Sequence, residues 1–165
     1  MRDFLEQIRE ALGNPRLYYL ALFASLALPD ICGAISSDNG QAHRKKYIEW
    51  YDKYMAHTCH FLAGEDCWRF RCSLLHQGST QHPKGSYARI VFVEPSATTS
   101  VLHCNVLNDA LNIDVTVFCA DMIQGVENWL QENENTQLYQ KNHSKFVRRY
   151  PDGLLPYIAG VPVIG

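Results

Sequence analysis

The feature that most constrains the fold is a change in hydrophobic periodicity near the middle of the chain. Up to residue 78, apolar residues recur at the three- and four-residue spacing of helices. After a loop rich in Ser, Thr, Gly and Pro, from Gly78 to Gly85, they follow the shorter period of strands. Helical spacing returns from Cys119. The pattern predicts a helical half, then a small sheet, then further helix.

Four helices are predicted in the N-terminal half, over residues 2–12, about 16–35, about 41–55 and 64–78. The second is apolar nearly all round, which is typical of a central helix. Pro29 is expected to kink or interrupt it, because the ring removes a backbone hydrogen bond. Asp30 is then expected to cap the restarted helix, with a buried position beside a partner as the alternative.

Three strands are predicted after the loop, over residues 87–93, 101–106 and 110–118, with the last two forming a hairpin. The sheet is expected to be antiparallel. Two C-terminal helices follow, the last over about 137–149. The final residues are apolar and interrupted by prolines, so we expect an extended arm lying over a groove.

These elements predict a single α+β domain, mainly α, over residues 1–165. Residues 1–80 would form a helical bundle, residues 86–118 the antiparallel sheet, and residues 119–165 the two C-terminal helices and the apolar arm.

Charge and cysteine usage narrow the classes of partner and compartment. A net charge of −2 and a pI near 6.4 argue against binding to duplex DNA, which requires an excess of cations. The apolar run Leu17–Leu28 is shorter than the roughly 20 residues that span a bilayer, so no membrane segment is expected. None of the six cysteines forms a Cys-x-x-Cys pair, and Cys32, Cys104 and Cys119 lie in apolar runs. We therefore expect reduced cysteines and a cytoplasmic protein.

The chemistry concentrates in the fourth predicted helix, whose sequence is GEDCWRFRCSLLHQG. Arg71 can hold a phosphate with its planar fork of donors, and His76 can move a proton near neutral pH. Together they could bind a scissile RNA phosphate and assist attack by the 2′-hydroxyl without a metal. Five residues on a regular helix are about 140° apart. Convergence is therefore expected to need a distorted last turn or a second subunit.

The segment Arg71-Cys-Ser-Leu-Leu-His76, followed closely by a glycine, resembles the Arg-x4-6-His motif of the HEPN superfamily. The resemblance covers mainly residues 1–80 and implies a helical bundle that forms a homodimer. It also implies a metal-independent ribonuclease of a bacterial defence or toxin–antitoxin type, acting on RNA without a cofactor. The catalytic roles would fall to Arg71 and His76. Arg69 is the second candidate arginine, because a spacing of seven places it on the face of His76.

Three alternatives use the same residues differently. In a non-catalytic, dimeric scaffold, Arg71 would pair with an acid and His76 would interact with the carbonyls at the helix C-terminus. A nucleophilic Cys72 beside His76 would require oxyanion donors, and the sequence identifies none. A zinc site would draw on His57, Cys59, His60, Cys67, Cys72, His76 and His82. The spacing of these residues lacks the two close pairs of structural zinc sites, so no metal is predicted.

Overall fold

The computed structural model describes residues 1–95 and 101–165, and its fold class is α+β and mainly α, as predicted. The helices are α1 (Arg2–Leu12), α2 (Tyr18–Ile35), α3 (Arg44–Tyr54), α4 (Gly64–Gln77), α5 (Val115–Asn133) and α6 (Gln137–His143), with a 3₁₀ turn at Pro15–Leu17. The strands are β1 (Arg89–Val93), β2 (Asn105–Leu107), β3 (Ala110–Asp114), β4 (Arg149–Tyr150), β5 (Gly153–Leu154), β6 (Ile158–Ala159) and β7 (Val163–Ile164).

Helix α2 occupies the centre of the fold and contacts α1, α3, α4, α5 and α6. Its nearly continuous apolar sequence explains this position, and Leu26, Leu28 and Cys32 are fully buried. The helix continues through Pro29 without interruption. Burial on both sides of the proline stabilises the helix against the loss of one backbone hydrogen bond.

The apolar helical stretch Pro15–Ile35 is longer than the run counted from the sequence. By length and composition it could cross a membrane. Half of its apolar window is buried against the rest of the protein.

Glycines define both ends of α4. At Gly64 the amide donates to Asp52 Oδ1 at 2.8 Å, and a Cβ would lie 2.9 Å from the Ile48 carbonyl oxygen. This close approach ties the start of α4 to α3. At the other end Gly78 has a φ of 65°, the left-handed conformation that commonly terminates helices. The predicted bounds of this helix are therefore confirmed.

The first sheet has the order β1-β3-β2 and is mixed rather than antiparallel. Strand β2 pairs antiparallel with β3 as predicted, through a turn in which Asn108 and Asp109 both have positive φ. Strand β1 instead runs parallel to β3. The prediction was wrong on this point because alternating hydrophobicity indicates which residues are buried but not the direction of a neighbouring strand.

The third strand also ends earlier than predicted. Asp114 accepts hydrogen bonds from the amides of Thr116 and Val117 and so caps α5. The residues 115–118, assigned to the strand from their β-branched and aromatic side chains, belong to the first turn of this buried helix.

The apolar tail pairs with itself. After α6, which ends at His143, strand β4 pairs with β7 and β5 pairs with β6, which makes two nested hairpins. Leu155, Tyr157 and Ile164 are 76%, 84% and 77% exposed. The prediction of an extended arm over a groove is therefore wrong, because backbone pairing within the tail satisfies its polar groups.

A disulfide joins Cys59, which lies between α3 and α4, to Cys104, which precedes β2. The prediction that these cysteines are reduced is therefore wrong. Cys32 and Cys119 are free and buried, as their apolar runs indicated, and Cys67 is also free and buried. Because disulfides persist mainly in oxidising compartments, this bond removes the basis on which a cytoplasmic location was predicted.

Candidate functional site

Arg71 and His76 meet within one chain. Arg71 Nη1 lies 3.3 Å from His76 Nε2, and α4 remains α-helical to its last residue. The expectation that convergence needs a distorted turn or a second subunit is wrong. Helical side chains lean toward the N-terminus, so the imidazole reaches back toward the preceding turns, and the long arginine side chain spans the remaining angle.

This contact indicates which nitrogen of the His76 imidazole carries the proton. A guanidinium carries donors only, so the nitrogen that faces Arg71 must be the acceptor. His76 Nε2 therefore presents its lone pair to Nη1, and the ring is neutral with its proton on Nδ1 while the contact exists. The His76 side chain is exposed to solvent at the C-terminal end of α4.

Asp30 completes the group from a different helix. Its Oδ2 forms an ion pair with Arg71 Nη2, and the two side chains are only 15% and 21% exposed. Asp30 therefore takes the alternative role, a polar side chain in the protein interior beside a partner, and the cap prediction is wrong. The guanidinium links a carboxylate near the core to an imidazole at the surface.

The electrostatics follow from this arrangement. Burial raises the pKa of Asp30, and the charge of Arg71, joined by that of His76 when its ring is protonated, opposes this rise without cancelling it. Burial acts to lower the pKa of Arg71, but the contacts with Asp30 and Cys72 together outweigh it and the pKa is raised. The guanidinium is therefore firmly cationic, and its charge makes the ionised form of Asp30 more favourable.

Two uncharged side chains, Tyr47 and Cys67, lie near the ion pair on its core side. The Tyr47 hydroxyl lies 3.4 Å from Cys67 Sγ, and both side chains are completely buried. Burial raises the pKa of Cys67 to about 12, so it is a neutral thiol at physiological pH. The described contact of this thiol is with the Tyr47 hydroxyl.

Arg69 has a different set of contacts. It forms an ion pair with Glu65 at 2.9 Å, and its Nη1 donates to the Lys84 carbonyl at 2.6 Å and to Asp66 at 3.4 Å. Positions 69 and 71 are about 200° apart on the helix. The contacts of Arg69 therefore tie the first turns of α4 to the following loop, whereas those of Arg71 unite it with His76.

The other sequence-based alternatives find little geometric support. Within residues 1–95 and 101–165, no group of three His, Cys, Asp or Glu side chains is arranged to hold a metal ion. Cys59 is engaged in the disulfide. Cys72 Sγ accepts from Arg71 Nη1 at 3.7 Å, so its described hydrogen bond joins it to the arginine rather than to His76.

Asp30 is the site residue that sequence reasoning did not assign. The signal was present: it is a single acid in a long apolar helix, directly after Pro29, and such a charge is costly unless it is paired. Its partner lies 41 positions further along the chain. Helical periodicity relates residues within one helix only, so it could not identify Arg71 as that partner.

Comparisons with protein-family models, with curated proteins and with solved structures found no match. The Asp30–Arg71–His76 group and its surroundings are the features of this chain that bear on its function.

Proposed function

We propose that the protein is a HEPN-like, metal-independent RNA-binding and RNA-cleaving protein, with its four N-terminal helices as a bundle that carries the site. The observation that supports this most is the 3.3 Å contact between Arg71 Nη1 and His76 Nε2 in a single chain. A phosphate-binding cation and a neutral, solvent-exposed base within reach of each other are the minimum that RNA transesterification requires.

In the proposed reaction, a non-bridging phosphate oxygen takes the place of His76 Nε2 on Arg71 Nη1. The released Nε2 accepts the proton of the ribose 2′-hydroxyl as the 2′-oxygen attacks phosphorus. The bond from phosphorus to the 5′-oxygen breaks, this oxygen takes up a proton from water, and the proton on Nε2 is returned to the solvent. The products are a 2′,3′-cyclic phosphate and a 5′-hydroxyl, and Arg71 stabilises the charge on the phosphorane oxygens.

The test is cleavage of a labelled single-stranded RNA in the presence of a metal chelator. We expect the wild type to give 2′,3′-cyclic phosphate ends and His76→Ala to form them at least about 100-fold more slowly. His60→Ala is the matched control, because His60 is also exposed and contacts Phe61 rather than Arg71. It should cleave like the wild type.

A second substrate tests the chemistry. An oligonucleotide with 2′-deoxyribose at every position should bind but resist cleavage, because the attacking hydroxyl is missing. Equal cleavage by wild type and His76→Ala, or cleavage of the deoxy substrate, would contradict the proposal. For the defence or toxin role, induced expression of the wild type should arrest bacterial growth, and His76→Ala should not.

A non-catalytic scaffold is the second candidate, and one observation favours it. Asp30 already occupies one side of the Arg71 guanidinium, as in a purely structural ion pair. This function predicts no phosphate or RNA binding, so an RNA-binding titration of the wild type against Arg71→Ala separates the candidates. Weaker binding by Arg71→Ala supports the RNA function, whereas an absence of binding by both supports the scaffold.

We also propose that the protein is a homodimer, formed through one stripe of α2. Tyr19 and Leu20 are 76% and 62% exposed, and the less buried positions continue along the helix at three- and four-residue spacing. These positions are Phe23, Ala24, Ala27, Asp30, Ile31 and Ala34. Only Asp30 among them is charged, and it is mostly buried in its ion pair with Arg71, so the exposed part of this stripe is apolar and leads to the candidate site.

Sedimentation equilibrium tests the dimer. We expect twice the chain mass for the wild type and the chain mass for Leu20→Glu, because a charge would be buried in the contact. Leu107→Glu is the matched control, since Leu107 is also half exposed but lies on β2. A monomeric wild type, or equal dissociation by both variants, would contradict this interface.

A further inference from the structure

We infer that Asp30 is a positioning residue that determines which nitrogen of His76 carries the proton. The inference rests on the ion pair of Asp30 with Arg71 and on the contact of Arg71 with His76. Its consequence for RNA cleavage rests on the proposed function. Asp30 is not expected to touch RNA, and it acts through Arg71.

The guanidinium has a fixed planar fork, so fixing one end orients the other. Asp30 holds Nη2, which leaves Nη1 directed at His76 Nε2. Arg71 Nε is buried and has no hydrogen-bond partner among the described atoms. Nη1 makes the described hydrogen bonds of this side chain and Nη2 makes its ion pair, so loss of Asp30 would remove the charged contact that holds the Nη2 end of the guanidinium.

Orientation of Arg71 matters because neutral histidine in water carries its proton mainly on Nε2. In that form Nε2 cannot accept a proton from a hydroxyl. The donor at Nη1 favours the other tautomer, with the proton on Nδ1 and the lone pair on Nε2. Asp30 thus maintains His76 in the form that a general base requires, and the same contact covers the lone pair until an anion displaces it.

Other neighbours of Asp30 do not compete for this role. The nearby groups on α3 and the first half of α4 are Tyr47 and Cys67, which are buried and have raised pKa values, so both are neutral. Arg71 and His76 are the basic groups that act on Asp30. Asp30 therefore acts on His76 through Arg71, without a competing charged group on α3 or the first half of α4.

The test is ¹⁵N NMR of the histidine rings at a pH where they are neutral, with the His76 signals assigned from a His76→Gln spectrum. In the wild type we expect His76 mainly in the form protonated on Nδ1. In Asp30→Ala it should become mainly the form protonated on Nε2. Asp30→Asn is the variant that preserves shape and folding, and it should shift the population in the same direction.

His82 is an internal reference, because its Nδ1 accepts from the Lys84 amide at 3.1 Å and its proton must sit on Nε2. Asp121→Asn controls for loss of a half-buried carboxylate away from Arg71. Neither the His82 signal nor the Asp121→Asn spectrum of His76 should change. A wild-type His76 protonated on Nε2, or a tautomer unchanged in both Asp30 variants, would overturn the inference.

Inorganic phosphate added to the wild type separates this inference from the proposed function. We expect the ¹⁵N signals of Arg71 and His76 to move and that of His82 to stay. If the Asp30 variants change the tautomer but phosphate has no effect, the positioning role stands and the RNA function loses support. If phosphate binds but the tautomer is independent of Asp30, the positioning role is overturned and the RNA function stands.

Discussion

The two arginines on opposite faces of α4 show how differently similar residues can be used. Arg69 bonds to Glu65, to Asp66 and to a backbone carbonyl, and all these partners lie within 15 positions of it. Arg71 bonds to an acid from the central helix and to a histidine at the surface. The contacts of Arg69 join α4 to the loop that follows it. The contacts of Arg71 connect a residue near the core to a titratable side chain that is exposed to solvent.

Spacing along a helix is therefore a poor guide to which arginine contacts a histidine. A spacing of seven places Arg69 above His76 on one face, yet the acids of its own helix turn hold its guanidinium. Arg71 has no acid at the three- or four-residue positions, Trp68, Leu75, Cys67 and Leu74. Its side chain is therefore available to partners outside the local turn.

The largest expected effect is on RNA cleavage. His76→Ala should lower the cleavage rate by at least about 100-fold, as expected for loss of a general base. Arg71→Ala should weaken RNA binding by about 10-fold or more, since it removes charged hydrogen bonds. Arg69→Ala should have a far smaller effect on both quantities. Equal losses in Arg69→Ala and Arg71→Ala, measured in one assay series, would erase the functional distinction between the two faces.

Removing the disulfide tests whether the contacts of Arg69 and those of Arg71 both depend on this covalent link. Cys59 and Cys104 are 45 positions apart and enclose the whole of α4. For a loop of this length, the chain-entropy model gives about 4 kcal/mol of stabilisation. The double variant Cys59→Ala/Cys104→Ala should therefore lose up to that free energy of unfolding in urea. Because the folded site is unchanged, RNA cleavage at low temperature should persist; loss of cleavage in a folded variant would show that the bond positions the site.

A smaller effect is expected on stability when either arginine is separated from its acid. Asp30→Ala leaves a mostly buried guanidinium without its carboxylate, so the free energy of unfolding should fall by about 2–4 kcal/mol. Glu65→Ala removes a more exposed partner of Arg69 and should cost about 1 kcal/mol or less. Urea titrations of both variants provide the comparison. If Glu65→Ala lowered the free energy of unfolding as much as Asp30→Ala does, burial of the ion pair would not explain the difference expected between the two arginines.

The smallest effect concerns pH. The folded-state pKa of Asp30 is raised, so the folded state binds more protons than the unfolded state above the ordinary carboxyl value of about 3.9. Stability should therefore fall as pH rises from that value through the folded pKa. Arg71→Ala removes a charge that opposes the rise, so the decline should extend to higher pH. Unfolding free energies measured from about pH 4 to pH 8 should show this extension in Arg71→Ala and not in Arg69→Ala.

The sequence alone determined much of this protein. The change in period located the helical half and the region of the strands, Gly78 marked the end of α4, and the apolar run identified α2 as central. These features depend on residues a few positions apart. Their effect on backbone conformation and burial can therefore be predicted from the order of the residues. Arg71 and His76 were found as candidates for the same reason, because they share one short motif.

The contacts that those residues make depend on the assembled fold. It gave Asp30 an ion pair in place of a cap, made β1 parallel to β3, and joined Cys59 to Cys104. Each of these depends on residues more than 20 positions apart, which meet only after the core has formed. Periodicity and propensity carry no information about such pairs, because their energies arise from packing and desolvation in the assembled fold.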